Sequence, residues 1–421
     1  MAADRPAWAA DDELPILNTL REGDPSLVEG PDALARSITT LSAGSGPLAV
    51  DTERAHGFRY AMRAYLLQFK RSGAGIHLID PLTLGDDPVA ALAPLNQAMA
   101  RVEWIIHAAP QDLPCLRMAG LYPSRLFDTE LAARLLGLPR VGLSSLVEHY
   151  CGQRLLKEHS AANWSSRPIP DDWLLYAALD VELLIELRGR LHDDLEEAGK
   201  LEWARQECDH VLGSFATAPE PRPDPWRRTS GINRVSTPRG MAVVRELWTA
   251  RDVIAAELDL APGKLLQDQA ISELASRITT SSPAPSRQDI RSIEGFRRRR
   301  AQRYETTWLN ALHRVAQMSR GDYPPMRGSN PDGIGQPRSW QRHRPQAWAR
   351  WSRARPAVNE LADSLHLPPE NLISPEALKR IVHDPPATLS EDSVAEALST
   401  HQVRPWQQEL VAPVLVSALR G

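Results

Sequence analysis

At 421 residues the chain is long for one domain and points to two or three. Its 42% apolar content supports ordinary buried cores, while no run approaches 18 uninterrupted apolar residues, which excludes a membrane-spanning helix. Net charge is only −4 but uneven: Arg287 to Arg355 holds 16 arginines, no lysine and 5 acids, a balance of +11 that favours a polyanion contact in the C-terminal half.

In chain order, MAADRPAWAADDELP is acidic where a signal peptide is basic, so residues 1–25 read as a mobile arm. Gly44-Ser45-Gly46-Pro47 then punctuates the chain before LAVDTE, an apolar run ending in acids and a candidate buried strand. RAYLLQFK and IHLIDPL predict two more strands, with RSGAG as the hairpin between them. DPVAALAPLNQAMA has helical spacing, and VEWIIHA is again strand-like. Asp112 to Gly120 suits a helix; Asp128-Thr129-Glu130 opens another that ends at Leu136-Gly137. Asp171 to Ala198 is one long amphipathic helix or two in succession. Three strands followed by alternating helix and strand predict an α/β domain with a mixed sheet over 26–215.

PEPRPDP marks a stiff linker, placed at 216–236. Two mostly α-helical regions are expected at 237–320 and 341–421, joined by a Gly-, Pro-, Ser- and Arg-rich linker at 321–340. A weak repeat relates them at an offset of 107 residues, from LDLAPGKLLQDQAISELA at Leu258 to LHLPPENLISPEALKRIV at Leu365. Cys115, Cys151 and Cys208 form no CxxC pair, which predicts buried thiols in a reducing, cytoplasmic setting.

The acids carry the chemistry. Residues two apart in a strand share a face, so Asp51 and Glu53 project together and Thr52 points the other way. Both sit at a strand's C-terminal end, where open α/β sheets present their sites. Tyr176 and Asp180, four apart, share a helix face, and Asp112 follows directly on strand VEWIIHA. Four converging carboxylates repel one another and need neutralising; hard oxygen ligands suit Mg²⁺ or Mn²⁺. Two such ions about 3.5–4 Å apart clamp a phosphodiester for in-line attack.

These motifs resemble the ribonuclease D family, the exonucleases with four acids and a tyrosine in the third motif. DTE (Asp51, Glu53), HAAPQDL (Asp112) and YAALD (Tyr176, Asp180) match its three motifs in order, and NWSSRP at 163–168 is similar to the stretch that precedes the third. The likeness runs from about Leu48 to Glu207, and the two C-terminal regions look like helicase-and-RNase-D C-terminal (HRDC) domains. The resemblance implies a ribonuclease-H-like fold followed by two HRDC-like helical domains. It also implies 3′-to-5′ removal of nucleotides with divalent metals, and structured RNA such as tRNA precursors as substrate. In that frame Asp51 bridges two ions, Glu53 and Asp180 complete one site, Asp112 supports the second and Tyr176 holds the attacking water. Arg54 departs from the aromatic or apolar residue common there, and Asn163 replaces a common Asp.

Other residues are read as follows. His107 either touches substrate or closes a strand end. Asp128 suits a helix N-cap better than a ligand. Lys157 and Arg167 are candidates for phosphate binding or plain solvated charges, and Arg54, Arg59 and Arg63 for a basic rim. Trp164 and Trp173 suit packing more than base stacking. There is no GxxxxGK[ST], HExxH or GxSxG. The expectation is thus a monomeric, metal-dependent 3′-to-5′ exoribonuclease whose chemistry and RNA capture separate at 216–236. Its rivals are a DNA exonuclease of the same superfamily and a non-catalytic RNA-binding scaffold.

Overall fold

The computed structural model describes residues 14–155, 159, 161–218, 222–279, 285–328 and 334–420. Six strands form one sheet: β1 (Ser26–Val28), β2 (Ser45–Arg54), β3 (Ala64–Ser72), β4 (Gly75–Ile79), β5 (Glu103–Ile106) and β6 (Arg125–Asp128). Their order is β1-β4-β3-β2-β5-β6. β2–β3 and β3–β4 pair antiparallel, the other three neighbours parallel, so the sheet is mixed as expected. Its central strands are largely buried on both faces, as in a sheet covered on both sides. Leu48, Val50, Leu67 and Phe69 pack with α1 (Pro31–Ala43), α2 (Pro88–Ala98) and α3 (Leu113–Met118). Ala49, Leu66 and Leu78 pack on the opposite face, which also meets α4 (Thr129–Leu135), α5 (Leu143–Cys151), α6 (Asp171–Glu182) and α7 (Leu184–Glu197). The long amphipathic stretch is therefore two helices, broken at Leu183. α8 (Leu201–Phe215) closes this unit against β6.

Residues 1–13 of the expected arm lie outside the described residues. Residues 14–25 are not loose. Leu17 packs with Leu155, Leu179 and Leu183, its N–H bonds the Arg154 carbonyl at 2.9 Å, and Arg21 pairs with Glu186 at 2.8 Å. Burial of one leucine and these bonds outweigh the entropy of an acidic lead-in.

A first helical module comprises α9 (Pro238–Glu257), α10 (Pro262–Leu265), α11 (Asp268–Ser276), α12 (Arg287–Arg291), α13 (Glu294–Arg297), α14 (Arg299–Gln302) and α15 (Glu305–Gln317). A second comprises α16 (Pro337–His343), α17 (Pro345–Ser364), α18 (Pro369–Leu372), α19 (Pro375–His383), α20 (Glu391–Ser399) and α21 (Pro405–Arg420). The offset of 107 is structural: α9, α10 and α11 begin and end 107 residues before α17, α18 and α19. Even the left-handed corner recurs, at Asp259 (φ 44) and His366 (φ 54).

The modules differ in their cores. Trp226, Leu247, Ile271 and Trp308 form a core of the first module's own, so 225–235 belongs to that module and not to a linker. The second shares one continuous core with the exonuclease sheet, running from Leu187 and Leu195 through Trp340, Leu378 and Trp406. Trp203 on α8 stacks on Trp406 at 4.5 Å and 13°. Glu207 accepts from Trp406 Nε1 at 2.9 Å and from Arg404 Nε at 2.6 Å. Lys200 bonds the carbonyls of Leu135 and Leu365, both at 2.8 Å. Gly137 has φ +71, and a Cβ there would lie 2.1 Å from the His366 carbonyl oxygen, so only glycine lets the second module seat. The first module thus has a core of its own beyond 216–236, whereas the second continues the core of the exonuclease sheet.

Candidate active site

β2 carries Asp51 and Glu53 on the face that α6 covers, and α6 brings Asp180 to them. Each of the three offers an oxygen within 4.8 Å of the others. Tyr176, one turn earlier on α6, lines the same cavity, where burial and then the charge of Asp180 hold its hydroxyl protonated. All four line an open cavity of ≈ 430 Å³ together with Asp112, His107 and Arg54. Strand parity and helix spacing thus do what the sequence implied, aiming residues from two distant segments at one point.

Burial pushes all three carboxyls up, and repulsion from neighbouring acids, Asp112 among them, adds to it: Glu53 to about 10, Asp180 to about 7, and Asp51 strongly upward. None forms an ion pair among the described residues, and Arg54 is the cation whose field opposes the rise at Asp51 and Glu53. A set of hard oxygens, Glu53 buried and Asp51 and Asp180 half-buried, that its own protein leaves so poorly neutralised fits a divalent cation.

Asp112 arrives from the other side of the sheet. It lines the same cavity but stands outside the group of three. Thr52, facing away from its neighbours as expected, donates its hydroxyl to Asp112 Oδ1 at 2.7 Å, and Cys115 Sγ lies 3.0 Å from the same hydroxyl. Burial raises Asp112 to about 6 despite the Thr52 bond. Thr52 was passed over because parity shows where a side chain does not point, but not what a remote segment brings to it. Asp128 is the N-cap of α4, accepting from Glu130 and Leu131 N–H. It also accepts from Ala108 at 3.1 Å and Ala109 at 2.8 Å, and so holds Ala108 in a left-handed turn (φ 57) just ahead of Asp112.

His107 bonds Thr129 Oγ1 through Nδ1 at 2.9 Å, and burial lowers it to about 4, so it lines the cavity neutral. Arg167 is a correction. Its guanidinium bonds both Asp80 oxygens (2.6 and 2.7 Å) and the carbonyls of Tyr65, Trp164 and Ser166. All its nitrogens are engaged, so it clamps the 163–168 loop to the sheet and has no donor to spare for phosphate. Lys157 lies outside the described residues. In the basic rim, Arg59 bonds Ser165 at 2.8 Å and Arg63 pairs with Asp259 at 3.7 Å, while Arg54 lines the cavity. Trp164 is fully buried, 5.2 Å from Trp173 and 6.4 Å from Tyr176 ring to ring, and packs behind the tyrosine.

Comparison with known proteins agrees with this geometry. Residues 25–196 match the family described as 3′-5′ exonuclease, residues 241–312 the HRDC domain, and residues 333–419 the 3′ to 5′ exonuclease C-terminal domain. The second module thus matches a family of its own name. Ribonuclease D of Acidiphilium cryptum is 32% identical over 260 residues, 60% of this chain and 63% of that protein. Ribonuclease D of Granulibacter bethesdensis is 29% identical over 317 residues, covering 73% and 76%. The match spans less than two thirds of the first relative's length. A protein of Bifidobacterium adolescentis superposes with TM-score 0.85 at 37% identity, over 97% of this chain and 100% of that one. Escherichia coli RNase D, an exoribonuclease involved in structured RNA processing, superposes at 0.67 and 23% identity over 94% and 99%, which is a likeness of fold.

Proposed function

We propose that this chain is an enzyme of the ribonuclease D family, a metal-dependent 3′-to-5′ exoribonuclease. It trims the 3′ ends of structured RNA such as tRNA precursors, as a monomer in the cytoplasm. The observation that carries this reading is the meeting of Asp51, Glu53 and Asp180 within 4.8 Å, with Tyr176 beside them in the cavity wall. Mg²⁺ or Mn²⁺, two ions held by Asp51, Glu53 and Asp180 with Asp112 in support, would activate the water and neutralise the leaving oxygen.

The chain's own residues do the rest. Tyr176 orients the attacking water with its hydroxyl. Thr52 fixes Asp112. Arg54, in the cavity wall, meets the backbone phosphate next to the scissile bond, and neutral His107 offers a hydrogen bond without adding charge. Leu143 and Leu155 give the cavity an apolar wall for a base.

RNA beyond the 3′ end lies along the first module. Arg297, Arg298, Arg299, Arg300 and Arg303 are all exposed. α14 packs on α10, whose Lys264 lies 4.8 Å over the Phe58 ring, on the loop that leaves the active site after Glu53. Phosphate contacts along this line supply affinity by counterion release. Of the C-terminal tryptophans, Trp226, Trp308, Trp340 and Trp406 are core and take no part.

The test is 5′-labelled RNA incubated with Mn²⁺ or Mg²⁺. The reading expects a ladder shortening one nucleotide at a time from the 3′ end, faster than on a matched DNA strand. Arg299→Ala with Arg300→Ala is expected to lower the log–log salt slope of binding by roughly one unit per lost contact. A labelled RNA left intact with either metal would overturn the proposal.

A further inference from the structure

Gln68 lies wholly inside the exonuclease domain, at 0% exposure, and neither its Oε1 nor its Nε2 has a partner. Among the described residues no other side-chain amide is orphaned at both ends. Burying an unpaired amide costs free energy that an apolar side chain of similar size does not. An unpaired amide in such a place calls for a partner within reach of its two ends.

Its position says which. Gln68 on β3 is the cross-strand partner of Asp51 on β2. Residues directly opposite in an antiparallel pair put their Cβ atoms on one face about 4.5–5.5 Å apart, well within reach of a glutamine. On this face, Leu66 stands opposite Glu53 and Lys70 opposite Ala49, and Leu78 is the β4 neighbour of Gln68. The leucines offer nothing polar. Lys70 is already committed, to Glu182 Oε2 at 2.8 Å and to the Glu182 carbonyl at 2.7 Å. Glu182 Oε1 in turn accepts from the Arg21 N–H at 3.1 Å. Among its strand neighbours on this face, the polar group left to Gln68 is the carboxylate of Asp51.

We propose that Gln68 is a positioning residue of the metal site: its amide N–H donates to the Asp51 carboxylate in the metal-loaded protein and fixes that ligand's orientation. The inference rests on the reading of Asp51, Glu53 and Asp180 as a cation site and says how one of them is held. Ligating carboxylates are in general hydrogen-bonded from behind, and loss of such a partner typically weakens metal binding by about 10–100-fold.

The experiment uses the full chain and Mn²⁺, with free ion counted by electron paramagnetic resonance. Gln68→Met keeps the length of the side chain and removes the donor; Gln68→Leu removes the donor and shortens the chain. Both variants are expected to bind Mn²⁺ about tenfold or more weakly than wild type, with the metal-free melting temperature of Gln68→Met unchanged or raised. A packing role gives another pattern, in which Gln68→Met matches wild type and only Gln68→Leu departs, and that result overturns the proposal. Wild-type protein that takes up no Mn²⁺ would instead remove the cation site itself and the inference with it.

Discussion

Residues 238–276 and 345–383 repeat element for element, and each repeat meets the exonuclease domain through the same corner. In the first module Asp259 accepts from the Ala61 N–H at 2.9 Å and pairs with Arg63, Ala261 N–H bonds the Phe58 carbonyl at 3.1 Å, and Tyr60 donates to Asp252 at 3.1 Å. Those partners all lie on the loop between β2 and β3. In the second module the corner accepts from Lys200 through the Leu365 carbonyl and presses on Gly137, and an apolar core continues behind it. One helical fold therefore serves twice: once as part of the enzyme's body, once as an arm held by polar contacts to the loop leaving the active site. Apolar burial is what divides the two cases, since a shared core couples unfolding and a few hydrogen bonds do not.

The largest expected effect separates them by stability. Trp406→Ala should cost about 3–5 kcal/mol and lower the unfolding of the exonuclease domain itself, because Trp203 loses its stack and Glu207 a donor. Trp308→Ala should destabilise the first module and leave the exonuclease transition in place. Calorimetry of the two variants checks this; an exonuclease transition untouched by Trp406→Ala would break the comparison. A chain cut after Phe215 is expected to lose solubility for the same reason.

A smaller effect separates them by pH. Burial and then repulsion raise Glu53 to about 10 and Asp180 to about 7. A raised acid contributes stability that is complete below its unfolded pKa and is lost as pH rises through the folded one. Metal-free exonuclease should therefore melt lower at pH 9 than at pH 6, and Asp180→Asn should flatten that dependence. In the first module Asp289, Glu305 and Asp322 are shifted downward by bonds from Ser286, Arg291 and Ser319. Their contribution is lost only as pH falls, so this module's transition should not move between pH 6 and 9. Parallel shifts of both transitions would contradict the account.

The smallest effect concerns the arm's hold. Asp259→Ala removes acceptors for Ala61 and Arg63 at a cost of about 1 kcal/mol. The KM for a structured RNA should rise while kcat on a short single strand holds. Equal changes on both substrates would mean that the corner shapes the cavity and not the grip.

Sequence showed most of this site and little of its bracing. Asp51, Glu53, Tyr176 and Asp180 were legible because periods of 2 and 4 fix which side chains share a face. The repeat was legible to the residue. Asp128 was legible as an N-cap but not as the brace of Ala108 and Ala109; Thr52 and Gln68 owe their roles to where α3 begins and to the register of β3 against β2, and strand register is a long-range property that no local pattern carries. Arg167 misled for a related reason: an arginine before a proline looks solvated until Asp80, 87 residues away, arrives to bind it. The shared core of the second module was equally hidden, since nothing local to Trp203 or Trp406 says that the two stack on each other.

The most direct test is the rate of 3′-end shortening of one 5′-labelled RNA at saturating Mn²⁺, measured for wild type and Asp51→Asn. The account predicts steady loss of single nucleotides by wild type and none by Asp51→Asn, with the variant's metal-free stability equal or higher because a repelling charge is gone. Full turnover by Asp51→Asn would contradict it.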